Sequence, residues 1–372
     1  MDAQRLKDNF AQVAQQGDAV ALFFYADLFV RDPSLREMFP VGMAAQRDKL
    51  LTALGHIVSR VDSLPELVPF LQQLGRDHRK FGIGAEHYPQ VGASLVATLR
   101  YYSGTSWTDE LADDWTAAYS LAAKVMLEAA DENAQDQPAW WNGKIISVDR
   151  RRFDIAVLRM LPDRPVPYTP GQSVAMEVPG RPRLWRYYSM ANAPRPDNTI
   201  DFHVRLVDGG PVSTMLVRGV RVGDQVRMGP PVGSLTLDCD SGRDILLAAG
   251  STGLAPLKAI LEQIAGRAAP PRVHLFFGAR TRDSLYDLED LGKLAAGRPW
   301  LTVVPAVSDE RVTDVENGTL SDVVARHGPW TDHDAYLCGP PAMVTHTADR
   351  LAQLGLSRDR IRLETFADRG DR

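Results

Sequence analysis

From Gln4 to about Asn133, apolar residues recur at steps of three and four, the period of amphipathic helices, and strand-like alternation is nearly absent. Breaks fall at Gly17, Pro40-Val41-Gly42, Ser63-Leu64-Pro65, Gly82/Gly84 and Ser103-Gly104. The polar stretch ENAQDQP then reads as a hinge ending at Trp140-Trp141. From about Lys144 to Leu237 the pattern shortens to the runs KIISVD, DIAVLRM, GQSVAMEV, TIDFHVRLV and DQVRMG, separated by turns such as YTPGQ and VDGGPV. Short strands at this spacing predict an antiparallel barrel or sandwich. From Arg243 onward, strands alternate with helices: DILLAAG, VHLFFGA, LTVVPAVS and DAYLCGP each precede a helical segment, and IRLETF comes last. That order predicts a doubly wound parallel sheet. The expected organisation is an all-α domain over 1–136, an antiparallel β-barrel over 137–241 and an α/β domain over 242–372.

Composition narrows the possible functions. A chain of 372 residues exceeds a single core, in line with several domains. A net charge of −5 gives no footprint for nucleic acid or anionic membrane. Cys239 and Cys338 are the only cysteines, too far apart for a CxxC metal site and too few for a disulfide framework. MDAQRLKDNF lacks the apolar core of a signal peptide, and no run of about 18 apolar residues occurs. The expectation is a cytoplasmic protein without a membrane span, acting as a monomer.

In the helical region, GRDHRKFGIGAEHY carries two histidines. His78 lies eleven residues after Leu67, on the stripe of Leu67, Phe70, Leu71 and Leu74, so it points inward. His87 follows Gly82 and Gly84 and falls off the face formed by Tyr88, Val91, Leu95 and Leu99, so it is the bystander. An inward histidine is either a hydrogen-bonded core residue or a ligand. Upstream, ALFFYADLFVRD sets Tyr25 among Leu22, Leu28 and Phe29, and Gln46 opens a stripe of Leu50, Ala53 and Ile57. One histidine facing a tyrosine and a glutamine in an apolar pocket is what haem with a diatomic ligand requires.

FYADLFVRDPSLREMFP, Gln46-Arg47 and HRKFGIGAEHYPQVG resemble the globin domain of bacterial flavohaemoglobins. The resemblance implies His78 as the proximal ligand of haem b, Tyr25 and Gln46 as the distal pair, Leu50 as an apolar wall, Phe39 as a haem-packing ring and Tyr88 as the residue steadying the imidazole. Two departures stand out. Asp77 replaces the lysine usual before the ligand histidine, and the relay carboxylate of the last helix falls by count on Ala130, with Glu128 and Asp131 off phase.

In the strand-rich region, RLWRYYSMANAP offers Arg186 for a phosphate, Tyr188 as a flat face and Ser189 as a hydroxyl for a ring nitrogen. VDGGPVSTMLV places glycines and Ser213 before a short helical run. Each taken singly is also an ordinary edge strand or capped helix. Together they resemble the FAD-binding barrel of the ferredoxin-reductase family, which implies FAD contacts at Arg186, Tyr187, Tyr188, Ser189, Val212 and Ser213. Ser173 stands where flavohaemoglobins commonly carry an aromatic residue.

In the α/β region, DILLAAGSTGLAPLKAI is a strand, a glycine turn and a helix. Gly250 and Gly253 would admit a pyrophosphate, Thr252 would bond it and Pro256 suits the early helix. YLCGPPAMV forms a second such turn with Cys338, Gly339 and Pro340. Both resemble the nicotinamide half of the same reductases, with Phe366 of the terminal ETF as the aromatic covering the flavin. Arg280 and Arg282 offer charge for a 2′-phosphate, yet GARTRDSLYDLEDL resembles NADH-using relatives more than NADPH-using ones. The resemblance as a whole implies electron flow from NADH or NADPH through FAD to haem, with nitric oxide and O2 as substrates of a nitric oxide dioxygenase. The alternative is a reductase regulated by a gas- or redox-sensing globin, passing electrons to another acceptor.

Overall fold

The computed structural model describes residues 1–366, which fold as two compact units divided between Trp140 and Trp141. The first unit is helical: α1 (Ala3–Ala14), α2 (Asp18–Arg31), α3 (Ala44–Ser59), α4 (Leu64–His78), α5 (Tyr88–Ser103) and α6 (Asp109–Asp136). Asp2 caps α1 by accepting from the Arg5 N–H, and Thr108 caps α6 by accepting from that of Leu111. Leu6, Phe24, Leu28, Leu95, Leu99 and Trp115 form the core. Within it, Trp115 donates to Asn9, and Asn9 donates to Ser103, at 2.9 and 2.7 Å. That pair satisfies buried polar groups while tying α1, α5 and α6 together.

One sequence expectation fails in α2. Leu22 is 51 % exposed, whereas Ala21, Phe24, Tyr25 and Leu28 are buried. At 100° per residue the buried residues, Val20 included, span about 140° of the helix and end at Tyr25, and Leu22 lies about 60° past that edge.

The second unit begins with an antiparallel sheet of β1 (Trp141–Asp149), β2 (Ile155–Pro162), β3 (Ser173–Glu177), β4 (Arg186–Ser189), β5 (Ile200–Arg205) and β6 (Gln225–Val232), with a one-turn helix α7 (Pro211–Thr214). The strand order is β4-β3-β6-β1-β2-β5, and a bridge from Met190 to Phe202 brings the two edges together into a barrel. Trp141, Ile145, Met176, Phe202 and Val204 fill it.

The parallel part comprises β7 (Asp244–Gly250), α8 (Leu254–Ala265), β8 (Val273–Ala279), α9 (Leu288–Ala295), β9 (Leu301–Val307), β10 (Glu316–Asn317), α10 (Leu320–Arg326), β11 (His333–Gly339), α11 (Pro341–Gln353) and β12 (Ile361–Thr365). Its order is β10-β9-β8-β7-β11-β12, so the winding reverses between β7 and β11. In such sheets ligands bind beyond the carboxyl ends of the strands at that reversal. Among the described residues, no helix is long and apolar enough to cross a membrane.

Candidate functional site

His78 is the last residue of α4. Its Nδ1 lies 2.6 Å from the Leu74 carbonyl, which can only accept, so Nδ1 carries the hydrogen and Nε2 keeps its lone pair. Burial lowers the imidazole pKa below 6.5, favouring that neutral form. This is the tautomer that ligation of a metal through Nε2 requires. Tyr88 packs with Leu67, Leu71 and Met126 beside the same helix, and the Leu74 carbonyl holds Nδ1 of the imidazole. His87 accepts from the Gly84 N–H at 2.9 Å and serves its own turn.

Tyr25 is buried, with Phe24, Phe29 and Phe39 packed at ring distances of 5.1 to 5.9 Å. Its hydroxyl reaches the backbone carbonyl of Gln46 at 3.4 Å, a long contact. Burial pushes the phenol up to about 12, so it remains a donor at neutral pH. On α3, Val58 is the only buried residue, although Leu50, Leu51, Leu54 and Ile57 are all apolar. With Phe39, Phe70 and Leu74 these are covered by protein only in part. A flat apolar group with one axial nitrogen ligand suits both observations, so the residues present fit haem.

Asp77 is met by Lys80, one turn later, at 3.7 Å. A lysine therefore stands two residues after His78, with its charge paired to Asp77.

In the barrel, β4 carries Arg186, Tyr187, Tyr188 and Ser189. Tyr188 packs on the barrel core and Tyr187 stands half-exposed. Ser189 is 5 % exposed, and its Oγ has no hydrogen-bond partner among the described residues. A buried unsatisfied hydroxyl costs about 1–3 kcal/mol, so a ligand atom that bonds it would be stabilised there. That orphan hydroxyl fits a flavin. Ser173, its register partner on β3, is also buried. Val212 is buried, and the Ser213 hydroxyl accepts from the Val207 N–H and donates to the Gly210 carbonyl, both at 3.1 Å. Ser213 therefore closes the glycine turn with its side chain.

The two glycine turns of the parallel sheet meet at the winding reversal. A Cβ on Gly253 would fall 2.2 Å from the Cys338 carbonyl oxygen, and one on Gly250 would fall 2.6 Å from Met343 Cε. Gly339 has φ +151°, and its Cβ would lie 2.9 Å from the Gly250 carbonyl oxygen. The opposing turn restricts both positions, through the Cys338 backbone at Gly253 and the Pro340 and Met343 side chains at Gly250. Thr252 is half-buried between them, and Pro256 is buried at the third position of α8. Pro340 is the N-cap residue of α11, and burial pushes the Cys338 thiol up. Phe366 donates its N–H to the Gly339 carbonyl at 3.1 Å, which brings the terminal aromatic to the same turn.

One constellation escaped sequence reasoning. His203 Nδ1 lies 2.8 Å from the Tyr286 hydroxyl, Lys258 donates to Asp287 at 2.6 Å, and Arg151 donates to Asp290 at 2.7 Å. Burial, then the charge of Lys258, drives the His203 pKa well below 6.5. The cluster joins the barrel to α8 and the segment entering α9. Its partners lie 29 to 139 residues apart, so no local pattern could have revealed it.

Comparison with known proteins agrees with this architecture. Residues 22–126 match the globin family, 142–237 the oxidoreductase FAD-binding domain and 246–349 the oxidoreductase NAD-binding domain. The Flavohemoprotein of Bordetella parapertussis is 29 % identical over 385 residues, covering 96 % of this chain and 95 % of that one. The xylene/toluene monooxygenase electron transfer component XylA of Pseudomonas putida is 32 % identical over 307 residues, covering 77 % of this chain and 85 % of its own. A crystal structure of flavohemoglobin from Malassezia yamatoensis, with bound FAD and heme, shares the fold at a TM-score of 0.79 and 18 % identity, covering 98 % of each chain. With the three domain types in this order and relatives matched almost end to end, the chain belongs to the flavohaemoglobin family.

Proposed function

We propose that the chain oxidises nitric oxide with O2 to nitrate, drawing electrons from NADH. When bound, the nicotinamide supplies hydride, FAD divides it into single electrons and the haem iron accepts them and binds a diatomic ligand. The residues do the rest. His78 offers Nε2 because the Leu74 carbonyl holds Nδ1–H. Tyr25, kept protonated by burial, donates toward the negative charge that develops on a diatomic ligand, with Gln46 beside it. Phe39 and Leu50 exclude water, and Tyr88 packs along α4. Ser189 bonds a flavin ring atom through its orphan hydroxyl, Arg186 takes a phosphate, Tyr187 and Tyr188 provide flat faces, and the Val212–Ser213 turn presents backbone to the pyrophosphate. The Gly250–Gly253 and Cys338–Pro340 turns, with Phe366, flank the nicotinamide. We take residues 137–241 and 242–372 as the flavin and nicotinamide domains.

Arg282 favours NADH over NADPH. Its guanidinium is engaged by Asp314 at 2.8 Å, and Glu310 accepts from its backbone N–H. A 2′-phosphate would have to compete with that carboxylate and approach a second one.

The observation carrying the reading is Tyr25, a buried protonated phenol set among aromatic rings. The test is nitrate formed per NADH from NO and O2, with Tyr25→Phe as the variant. Loss of a hydrogen bond to a charged ligand of about 1.5–3 kcal/mol slows turnover roughly tenfold to hundredfold. Unchanged NO consumption in Tyr25→Phe would sink the distal assignment. The second reading, a globin-regulated reductase serving another acceptor, is supported by the identity to XylA, which exceeds that to the Bordetella flavohaemoprotein. Anaerobic NADH addition separates the two: flavin bleaching without haem reduction favours the second.

A further inference from the structure

The ligand helix α4 is attached to α6 on either side of His78. One turn before it, a Cβ on Gly75 would fall 2.1 Å from the Met126 carbonyl oxygen, so the two backbones touch. One residue after it, the Arg79 guanidinium donates through Nη1 to the Asn133 side-chain carbonyl and through Nη2 to the Gln137 carbonyl at 2.8 Å. Gln137 is the C-cap residue of α6 and donates its own N–H to the Asn133 carbonyl at 3.0 Å. The fork therefore closes a ring of bonds around the end of α6, where helix carbonyls lack intrahelical partners and a cation is favoured. The residues that follow, up to Trp140, lead directly into the second unit.

We propose that Arg79 is a positioning residue for His78: its fork fastens the ligand end of α4 to the last turn of α6, so that the iron–histidine bond and the order of residues 133–140 are coupled. This rests on the reading of His78 as haem ligand. The physical ground is the planar guanidinium, whose N–H bonds to two separate acceptors fix its orientation as well as its position. Arg79 shares a peptide unit with His78, so any shift of the imidazole strains the fork and any loosening of the fork releases the imidazole. Such a coupling is reciprocal and can be probed from either end.

The test uses full-length, haem-loaded protein and two measurements: amide hydrogen exchange over 133–140 and the iron–histidine stretching band of the ferrous form. Arg79→Met is expected to speed exchange about fivefold or more and to shift or broaden the band, with Arg79→Lys intermediate. Faster exchange with an unmoved band would reduce Arg79 to a helix cap and overturn the proposal, as would no change in either. Should Arg79→Met fail to fold, Asn133→Ala removes one acceptor and is read by the same criteria. From the other end, His78→Gly loaded with haem and free imidazole cuts the link while Arg79 stays intact, and exchange over 133–140 should again rise about fivefold. Wild-type exchange there would overturn the coupling. Full haem binding by His78→Gly without imidazole would instead remove the reading of His78 as ligand.

Discussion

At the scale of single residues, Tyr25 and Gly75 carry distinct expectations. Because burial raises the Tyr25 phenol to about 12, the hydroxyl keeps its proton well above neutrality. The ratio of wild-type to Tyr25→Phe turnover should therefore stay constant between about pH 7 and 10, a range where an unperturbed tyrosine would begin to ionise. A ratio that falls as pH rises through 9 would place the phenol in a wetter setting. Gly75→Ala must push backbone apart, since its Cβ would meet the Met126 carbonyl. Overpacking of this kind costs about 1–3 kcal/mol, and a lowered urea midpoint with unchanged m-value would show it. The inward phase of His78 could be read from spacing alone, because eleven residues make just over three turns. The Leu74 carbonyl that fixes its tautomer could not, since every helical residue has a carbonyl four positions back.

At the scale of elements, strand and helix order was legible because each region keeps one period for many residues. β10, two residues long, offers no period and went unseen. Side-chain direction was harder: Leu22 satisfies a three-residue step from Tyr25 yet faces out, because a surface helix buries only part of its circumference. No local pattern could show the cluster of His203, Tyr286, Lys258 and Asp287, whose members come from β5, α8 and the segment entering α9. Its histidine predicts a pH effect. The folded pKa of His203 lies well below 6.5, so the unfolded chain binds more protons as pH falls below that value. The contribution is complete above about pH 6.5 and is lost on acidification. A His203→Leu/Tyr286→Phe double variant, which removes both polar partners, should lose less thermal stability than wild type between pH 7.5 and 5.5. Equal acid sensitivity would shift the explanation to other groups.

At the scale of the molecule, the division between Trp140 and Trp141 gives a reductase portion with its own two sheets and cores. Residues 141–372 expressed alone should bind FAD and oxidise NADH with a small-molecule electron acceptor at a rate within about threefold of the whole chain, while losing NO consumption entirely; as separate cores rarely depend on each other for folding, insoluble or flavin-free product would show that the units are interdependent. Domain order was readable because composition changes abruptly at the hinge. The flavin and nicotinamide halves, by contrast, pack as one unit, and the residues joining them gave no local sign.

The interlocked glycine turns carry a lesson for engineering. Gly253 is crowded by the Cys338 backbone, Gly339 by the Gly250 backbone and Gly250 by Pro340 and Met343, so a side chain added in one turn must displace atoms of the other. On the proposed function, efforts to change coenzyme preference belong at Arg280 and Arg282 and the acidic neighbours Glu310 and Asp314, whose side chains reach solvent.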